Sequence, residues 1–414
     1  MLRAQHSFKL LSASFLLPGR SLLLPRRPYF STPLCLAKRK SRKASAPLKS
    51  IPPARPTSQN GDSASHPVPA PEEDLRRSPT SNRRDQVLFV GSVGLGVFLW
   101  AAVKTNTETN QLVEKIVQVR GTDGLNNRTL LQAKIFELRE TLSSWGALVA
   151  QKTESLPEIP RTTIRQLYAD AAQKYINTSD VVKICWGICA FNGAVFLAWK
   201  VPRLTGFMYR NFVHRPLSGK SLTLLTSVFS HESFIHLLFN SMALTSFAAT
   251  TGYYLSTEQA AGGSNRLEST AGYHFLAFFI TAGLFSSLAS HVLRNRLYDQ
   301  FLARISRVGK AGGVLPHIGG SLGASGAIYA TVTLTALAFP SIYVSPIFLP
   351  ISIPIQIGVC GMILLDVVGF VRGWRMLDHF AHLGGAVFGA VYYHCGPRLW
   401  DLCRAFTGYL FDDL

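Results

Sequence analysis

The sequence predicts an all-α polytopic membrane protein, a six-helix core bundle preceded by one extra N-terminal transmembrane helix. Three observations carry that expectation. The chain of 414 residues is 47% hydrophobic and only 16% charged, although its formal net charge is +19. Uncharged apolar runs long enough to cross about 30 Å of hydrocarbon recur along it. Its basic residues gather at the N-terminus and in a few short loops, as import and orientation signals do, so no nucleic-acid partner is expected.

Taken in order, the first segment is an address. From Met1 to Gly61 there is no acidic residue against twelve Lys and Arg. The mixture of Arg, Ser and Leu in MLRAQHSFKLLSASFLLPGRSLLLPRR has the character of a mitochondrial transit peptide, expected over residues 1–31. The apolar stretch Leu10 to Pro18 alone would suit a secretory signal; the persistent Arg content and missing acids favour mitochondria. Arg26 to Ser31 is the expected processing region. Residues 32–85, rich in Pro, Ser, Lys and Arg, cannot bury a core and read as a disordered basic segment.

The first span is VLFVGSVGLGVFLWAAV, within an extra transmembrane helix expected at 86–103. A polar, partly helical linker follows at 104–180, with helical patterns such as LLQAKIFELRETL and Thr162 to Tyr175. Six closely spaced spans are expected at about 181–199, 234–254, 272–293, 325–339, 346–370 and 379–395, forming a core over 181–396, with a C-terminal tail at 397–414. The cysteines Cys35, Cys185, Cys189, Cys360, Cys395 and Cys403 show no CxxC pair, and most lie in or beside apolar runs as small packing residues.

Orientation follows from the short loops. On the side of the N-terminus they carry Lys200, Arg203, Arg210, Arg215, Lys220, Arg294, Arg296, Arg304, Arg307, Lys310, Arg372 and Arg375, against Glu232, Asp299 and Asp378. The other side has Arg266 with Glu258 and Glu268, and a C-terminus ending Asp412-Asp413. The linker holds ten basic and nine acidic residues, but long loops cross largely regardless of charge. The N-terminal side is therefore expected to face the matrix and the C-terminus the intermembrane space.

Polar residues inside hydrocarbon are costly and point to function. His236 and Asn240 are four apart and share a helix face, with His231 just before them. Ser325 and Tyr329 are again four apart. His382, Gly385 and Gly389 form one narrow stripe whose small residues let another helix approach closely. The alternation of spans puts all three clusters at one depth on the basic side. Serine needs a base to become a nucleophile, and histidine has a suitable pKa. The oxyanion formed on attack needs donors. The free N–H groups where Ser325 opens a helix supply them, and His236 and Asn240 can add to them from the side. Gly323 and Gly326 permit close backbone approach, and the glycine-rich loop Gly309 to Gly323 should be irregular, which membrane depth allows only where protein or water covers it.

At these residues the sequence resembles the rhomboid family of intramembrane serine proteases, in its mitochondrial inner-membrane branch. The pattern GxSG is present as Gly323-Ala324-Ser325-Gly326 with Tyr329 following; HxxxxHxxxN is His231, His236 and Asn240; AHxxGxxxG runs from Ala381 and His382 through Gly385 to Gly389. The resemblance covers roughly residues 181–396 and implies a rhomboid-like core. It implies Ser325 as nucleophile and His382 as general base, a dyad with no carboxylate member. It implies an oxyanion hole from His236, Asn240 and the Ser325 N–H, Tyr329 packed on the His382 ring, His231 as scaffold, and Gly326 facing Gly385 and Gly389. The Trp-Arg pair that bacterial members carry in the first long loop is absent, FMYRNFVHRP standing there instead. The implied substrates are single-span or membrane-anchored proteins, dynamin-like GTPases and anchored intermembrane-space proteins among them, with the lipid bilayer as the other partner and no cofactor.

Other constellations read differently. Asp378, four residues before His382, is badly placed to orient its imidazole and reads as a helix cap. Asp366 leaves three readings open: pairing across helices, pairing with Arg375, or a place beside a substrate access route. No HExxH is present, and histidines five apart on a helix lie about 140° around it from each other, so no metal site is expected. A catalytically silent client-binding relative would lack part of the Ser325, His382 and Asn240 set. A transporter would show internal repeats and more charged midplane residues than Asp366.

Overall fold

The computed structural model describes residues 83–261, 266–308, 319–346, 350–374 and 376–411. The expected transit peptide, nearly all of the 32–85 segment, and Arg375 lie outside these. Helix α1 (Arg83–Arg120) starts at the end of that segment and carries the apolar run straight on into polar sequence, because no Pro or turn residue interrupts it before Gly121. Two helices then form an antiparallel hairpin, α2 (Asn127–Lys152) and α3 (Glu158–Asn177). Asn126 opens α2 with a capping box shared with Thr129. The Tyr168 hydroxyl donates to the Leu142 carbonyl at 2.6 Å and Arg165 to that of Ala150 at 2.6 Å, which fixes the hairpin.

The core follows as α4 (Asp180–Trp199), a loop with two short helices α5 (Thr205–Asn211) and α6 (Thr223–Thr226), then α7 (Phe234–Ala261), α8 (Gly272–Val308), α9 (Ser325–Ala338), α10 (Ile355–Arg372) and α11 (His379–Phe411). This is an all-α polytopic membrane fold. Four of the described helices, α1, α4, α8 and α10, are long and apolar enough to cross a membrane by length and composition, and α9 is a shorter apolar helix. Helices α7 and α11 are longer but carry the histidines, hydroxyls and Asn240 that the sequence marks as functional, which dilutes their hydropathy.

Helices α1, α7 and α8 run past the ends of their expected spans, to Arg120, Ala261 and Val308, and two other boundaries also differ from expectation. The span expected from residue 346 begins at Ile355. Before it, β1 (Tyr343–Val344) pairs antiparallel with β2 (Ile353–Pro354), and Pro346, Pro350 and Pro354 deny that segment the N–H groups a helix needs. The tail expected at 397–414 is helical through Phe411, with Pro397 inside the helix. One proline removes one hydrogen bond, and the stretch beyond it is held from elsewhere. Trp400 is fully buried, and Arg404 donates to the Asn106 side chain at 2.9 Å and to the Leu267 carbonyl at 2.8 Å.

Helix α9 is the axis of the bundle, ten of its fourteen residues being buried between α7, α8 and α11. At 1.5 Å per residue it is about 21 Å long, too short to reach both faces of a hydrocarbon core. Helix α1 packs along α8 and α11. Gly94 makes room for the Thr281 side chain, and Phe98 lies among Tyr392, His274 and Trp400. At the bundle end remote from Ser325, polar contacts bind the linker hairpin to the core. Lys134 of α2 pairs with Glu108 of α1 and, at 2.6 Å, with Asp180 of α4. Asp180 also accepts from Thr270 at 2.8 Å. Burial opposes charge on Lys134, but these two carboxylates outweigh it and hold its ammonium above the ordinary lysine range.

Candidate active site

Four elements converge at the other end. The loop 319–324 delivers Ser325 to the first position of α9, α7 brings His236 and Asn240, α10 brings Asp366, and α11 opens with His379 and His382. The loop is held by backbone. Ser321 exchanges two N–H···O bonds of 2.9 Å with His214, and the Gly323 N–H donates to the Ser227 carbonyl at 2.9 Å. Gly323 sits at φ +123°, where L side chains are strained, and a Cβ there would lie 2.6 Å from the His236 ring. The next N–H, of Ala324, donates to His231 Nε2 at 3.4 Å. His231 is fully buried beneath the serine loop.

The helix pair behind the serine is set by the glycines. A Cβ on Gly385 would meet the Gly326 carbonyl, and one on Gly389 would meet the Ala330 backbone, so α9 and α11 touch backbone to backbone. That approach places His382 Nε2 2.8 Å from Ser325 Oγ. The His382 ring stacks on Tyr329, centroids 4.4 Å apart and planes 9° off parallel.

The sequence reading missed the carboxylate. Asp366, 1% exposed, accepts from His382 Nδ1 at 3.0 Å and from His379 Nδ1 at 2.6 Å through one oxygen, while the Tyr329 hydroxyl donates to the other. An ionised carboxylate only accepts. His382 therefore carries its proton on Nδ1, and its Nε2 lone pair receives the Ser325 hydroxyl hydrogen. The resemblance implies no carboxylate member, yet this chain has one in hydrogen-bond contact. It arrives from another helix sixteen residues upstream of His382, so no spacing within one helix could reveal it. The one signal was Asp366 itself, the only carboxylate inside the spans, and of its three open readings the cross-helix one is what the structure has. Asp378 takes the capping role. It accepts from the Ala381 N–H at 3.2 Å, from Ser290 at 2.8 Å, from Ser321, and from Arg294 at 3.0 Å. Burial alone would push its carboxyl up; Arg294 and these hydrogen bonds outweigh that and hold it below the ordinary range.

Of the expected oxyanion donors, His236 lies against Gly323, two residues before the serine. Asn240 is one turn deeper, its amide donating to the His236 carbonyl at 2.8 Å, which leaves a second N–H uncommitted to that bond. No side chain caps α9, so the first N–H groups of the helix have neither an intrahelical acceptor nor a capping side chain. Among the described residues no cluster of His, Cys, Asp or Glu is arranged to hold a metal ion.

Comparison with known proteins meets this geometry. The model of the Rhomboid domain matches residues 218–397. "Presenilin-associated rhomboid-like protein, mitochondrial" of Rattus norvegicus is 30% identical over 290 residues, 66% of this chain and 68% of that one. The chain belongs to the rhomboid family. Within it, "Presenilin-associated rhomboid-like protein A, mitochondrial" of Danio rerio is 31% identical over 223 residues, and this chain spans only 50% of that relative's length. "Rhomboid protein 1, mitochondrial" of Saccharomyces cerevisiae is 25% identical over 210 residues, covering 50% of this chain and 52% of that one. No solved structure matches the chain. Mitochondrial rhomboid relatives and several apolar helices together support a mitochondrial membrane protein. The rhomboid match begins at Ser218, so α1, the linker hairpin and α4 lie ahead of it.

Proposed function

We propose that this rhomboid-family chain is an intramembrane serine endopeptidase of the mitochondrial inner membrane. The observation that supports it most is the 2.8 Å contact from Ser325 Oγ to a histidine whose other nitrogen is held by a buried carboxylate. In the proposed reaction Ser325 Oγ attacks a peptide carbonyl carbon while its proton passes to His382 Nε2. The carbonyl oxygen becomes an oxyanion facing the α9 N-terminus, His236 and Asn240. Collapse breaks the C–N bond, and His382 returns the proton to the leaving amine. Water then attacks the acyl-serine ester with His382 again as base, releasing the acid and restoring Ser325.

The substrate would be a single-span or anchored protein cut in or beside its membrane segment. Helical backbone hydrogen-bonds to itself, so the segment must unwind locally before its carbonyl can reach Ser325. Anchored intermembrane-space proteins and dynamin-like GTPases fit this description. The basic loops suggest a matrix-side site and a C-terminus in the intermembrane space; protection of a C-terminal tag from protease in mitoplasts would refute that orientation. The activity test compares wild type with Ser325→Ala and His382→Ala on a detergent-solubilised single-span substrate. Both variants should lose cleavage, and undiminished cleavage by either would overturn the assignment.

A further inference from the structure

His379 is a buried titratable group beside the base that the mechanism above does not use. It is 5% exposed and sits one turn before His382 on α11. Its Nδ1 lies 2.6 Å from Asp366 Oδ1, the same oxygen that accepts from His382 Nδ1 at 3.0 Å. Its Nε2 is buried with no hydrogen-bond partner. A second proton there would be a buried, unpaired N–H on a charged ring, so the neutral imidazole with its hydrogen on Nδ1 is the form that fits. The partner helix is shaped for it. Gly369, one turn after Asp366 on α10, has the His379 ring where its own Cβ would be, with Nε2 only 2.6 Å from that point. Helix α10 thus supplies both the carboxylate and the gap that seats the second imidazole against it.

We infer that His379 is a positioning residue that divides one Asp366 oxygen between two imidazoles and so sets the basicity of His382. The inference rests on the reading of Ser325 and His382 as nucleophile and base. A carboxylate oxygen that accepts from two N–H groups offers each less than it would offer one. With His379 in place, part of the pull on the His382 proton is diverted. Without it, the whole of Oδ1 faces His382 and the imidazolium is stabilised further. The other groups facing this cluster are the Tyr329 hydroxyl from α9, which stays on the second oxygen, Ser325 at the far nitrogen of His382, and His236 of α7, whose charge would act on His382.

The test is the pH profile of kcat/KM on a single-span substrate, whose acid limb reports the base of the free enzyme. In His379→Ala the midpoint of that limb should rise by about half to one pH unit, the scale of a lost share in a charge-assisted hydrogen bond. His379→Asn, whose amide nitrogen can stand where Nδ1 stood, should keep the wild-type midpoint. Gly369→Ala removes no titratable group but displaces the His379 ring, and should shift the limb in the same direction as His379→Ala. A packing role alone would lower kcat at every pH and leave the midpoint where it was. An unchanged or lowered midpoint in Gly369→Ala overturns the inference, as does a shift in His379→Ala that the Asn variant fails to reverse. Full cleavage by Ser325→Ala would instead overturn the underlying reading of the site.

Discussion

Replacing Asp366 by Asn removes the charge behind His382 while keeping the side chain's shape. In the transition state His382 is an imidazolium, and Asp366 accepts its Nδ1–H at 3.0 Å from a site 1% exposed to solvent. A hydrogen bond to a charged group contributes about 1.5–3 kcal/mol. At about 1.4 kcal/mol per factor of ten, kcat should fall roughly 10- to 150-fold. The loss should stop short of the roughly 10⁴-fold seen when the same substitution flips the tautomer in a chymotrypsin-type triad, because the Tyr329 stack still orients the ring. KM should change little, since Asp366 lies behind the base and away from the scissile bond. The assay is steady-state cleavage of a single-span substrate in detergent, with a thermal melt to show that the variant is folded. A folded Asp366→Asn protein with wild-type kcat would refute the argument that Asp366 supports the base.

Other consequences follow from packing and burial. Gly385→Ala drives a methyl into the Gly326 carbonyl and pushes α9 from α11, and a misplacement of about 1 Å at the Ser325–His382 contact costs on the order of 100-fold in kcat. Gly96→Ala, on α1 with open space around it, is the control and should leave activity unchanged. His214, buried against Thr223 at 2.9 Å and His291 at 3.0 Å, has its imidazole pushed down to about 3 by burial first and by His291 second, from an ordinary 6.5. The unfolded chain therefore takes that proton first. The contribution is intact above pH 6.5 and is lost progressively as pH falls toward 3, by about 1.4 kcal/mol at pH 5.5. Melts at pH 7.5 and 5.5 should differ in wild type and differ less in His214→Gln.

Much of this site was legible because its chemistry is local. Ser325 with Tyr329, His236 with Asn240, and His382 with Gly385 and Gly389 each sit within one or two helical turns, so spacing alone puts each set on one face. Alternation of spans brought the sets to one depth. What spacing could not supply was contact between helices. Asp366 reaches His382 from α10, and Arg294 of α8 ties Asp378 and the Gly319 carbonyl together at the mouth of the serine loop. The helix ends were misjudged for a related reason. Pro397 marks a plausible stop in sequence, yet Asn106 and Leu267 hold Arg404 beyond it and carry α11 onward to Phe411.

The central claim is that Ser325 is an activated nucleophile within the membrane domain. Its most direct measurement is covalent labelling by a fluorophosphonate, with the adduct located by mass spectrometry. The geometry predicts a single adduct on Ser325, absent in Ser325→Ala and slowed at least about 100-fold in His382→Ala. A folded wild-type protein that takes no label, or takes it on another residue, would contradict it.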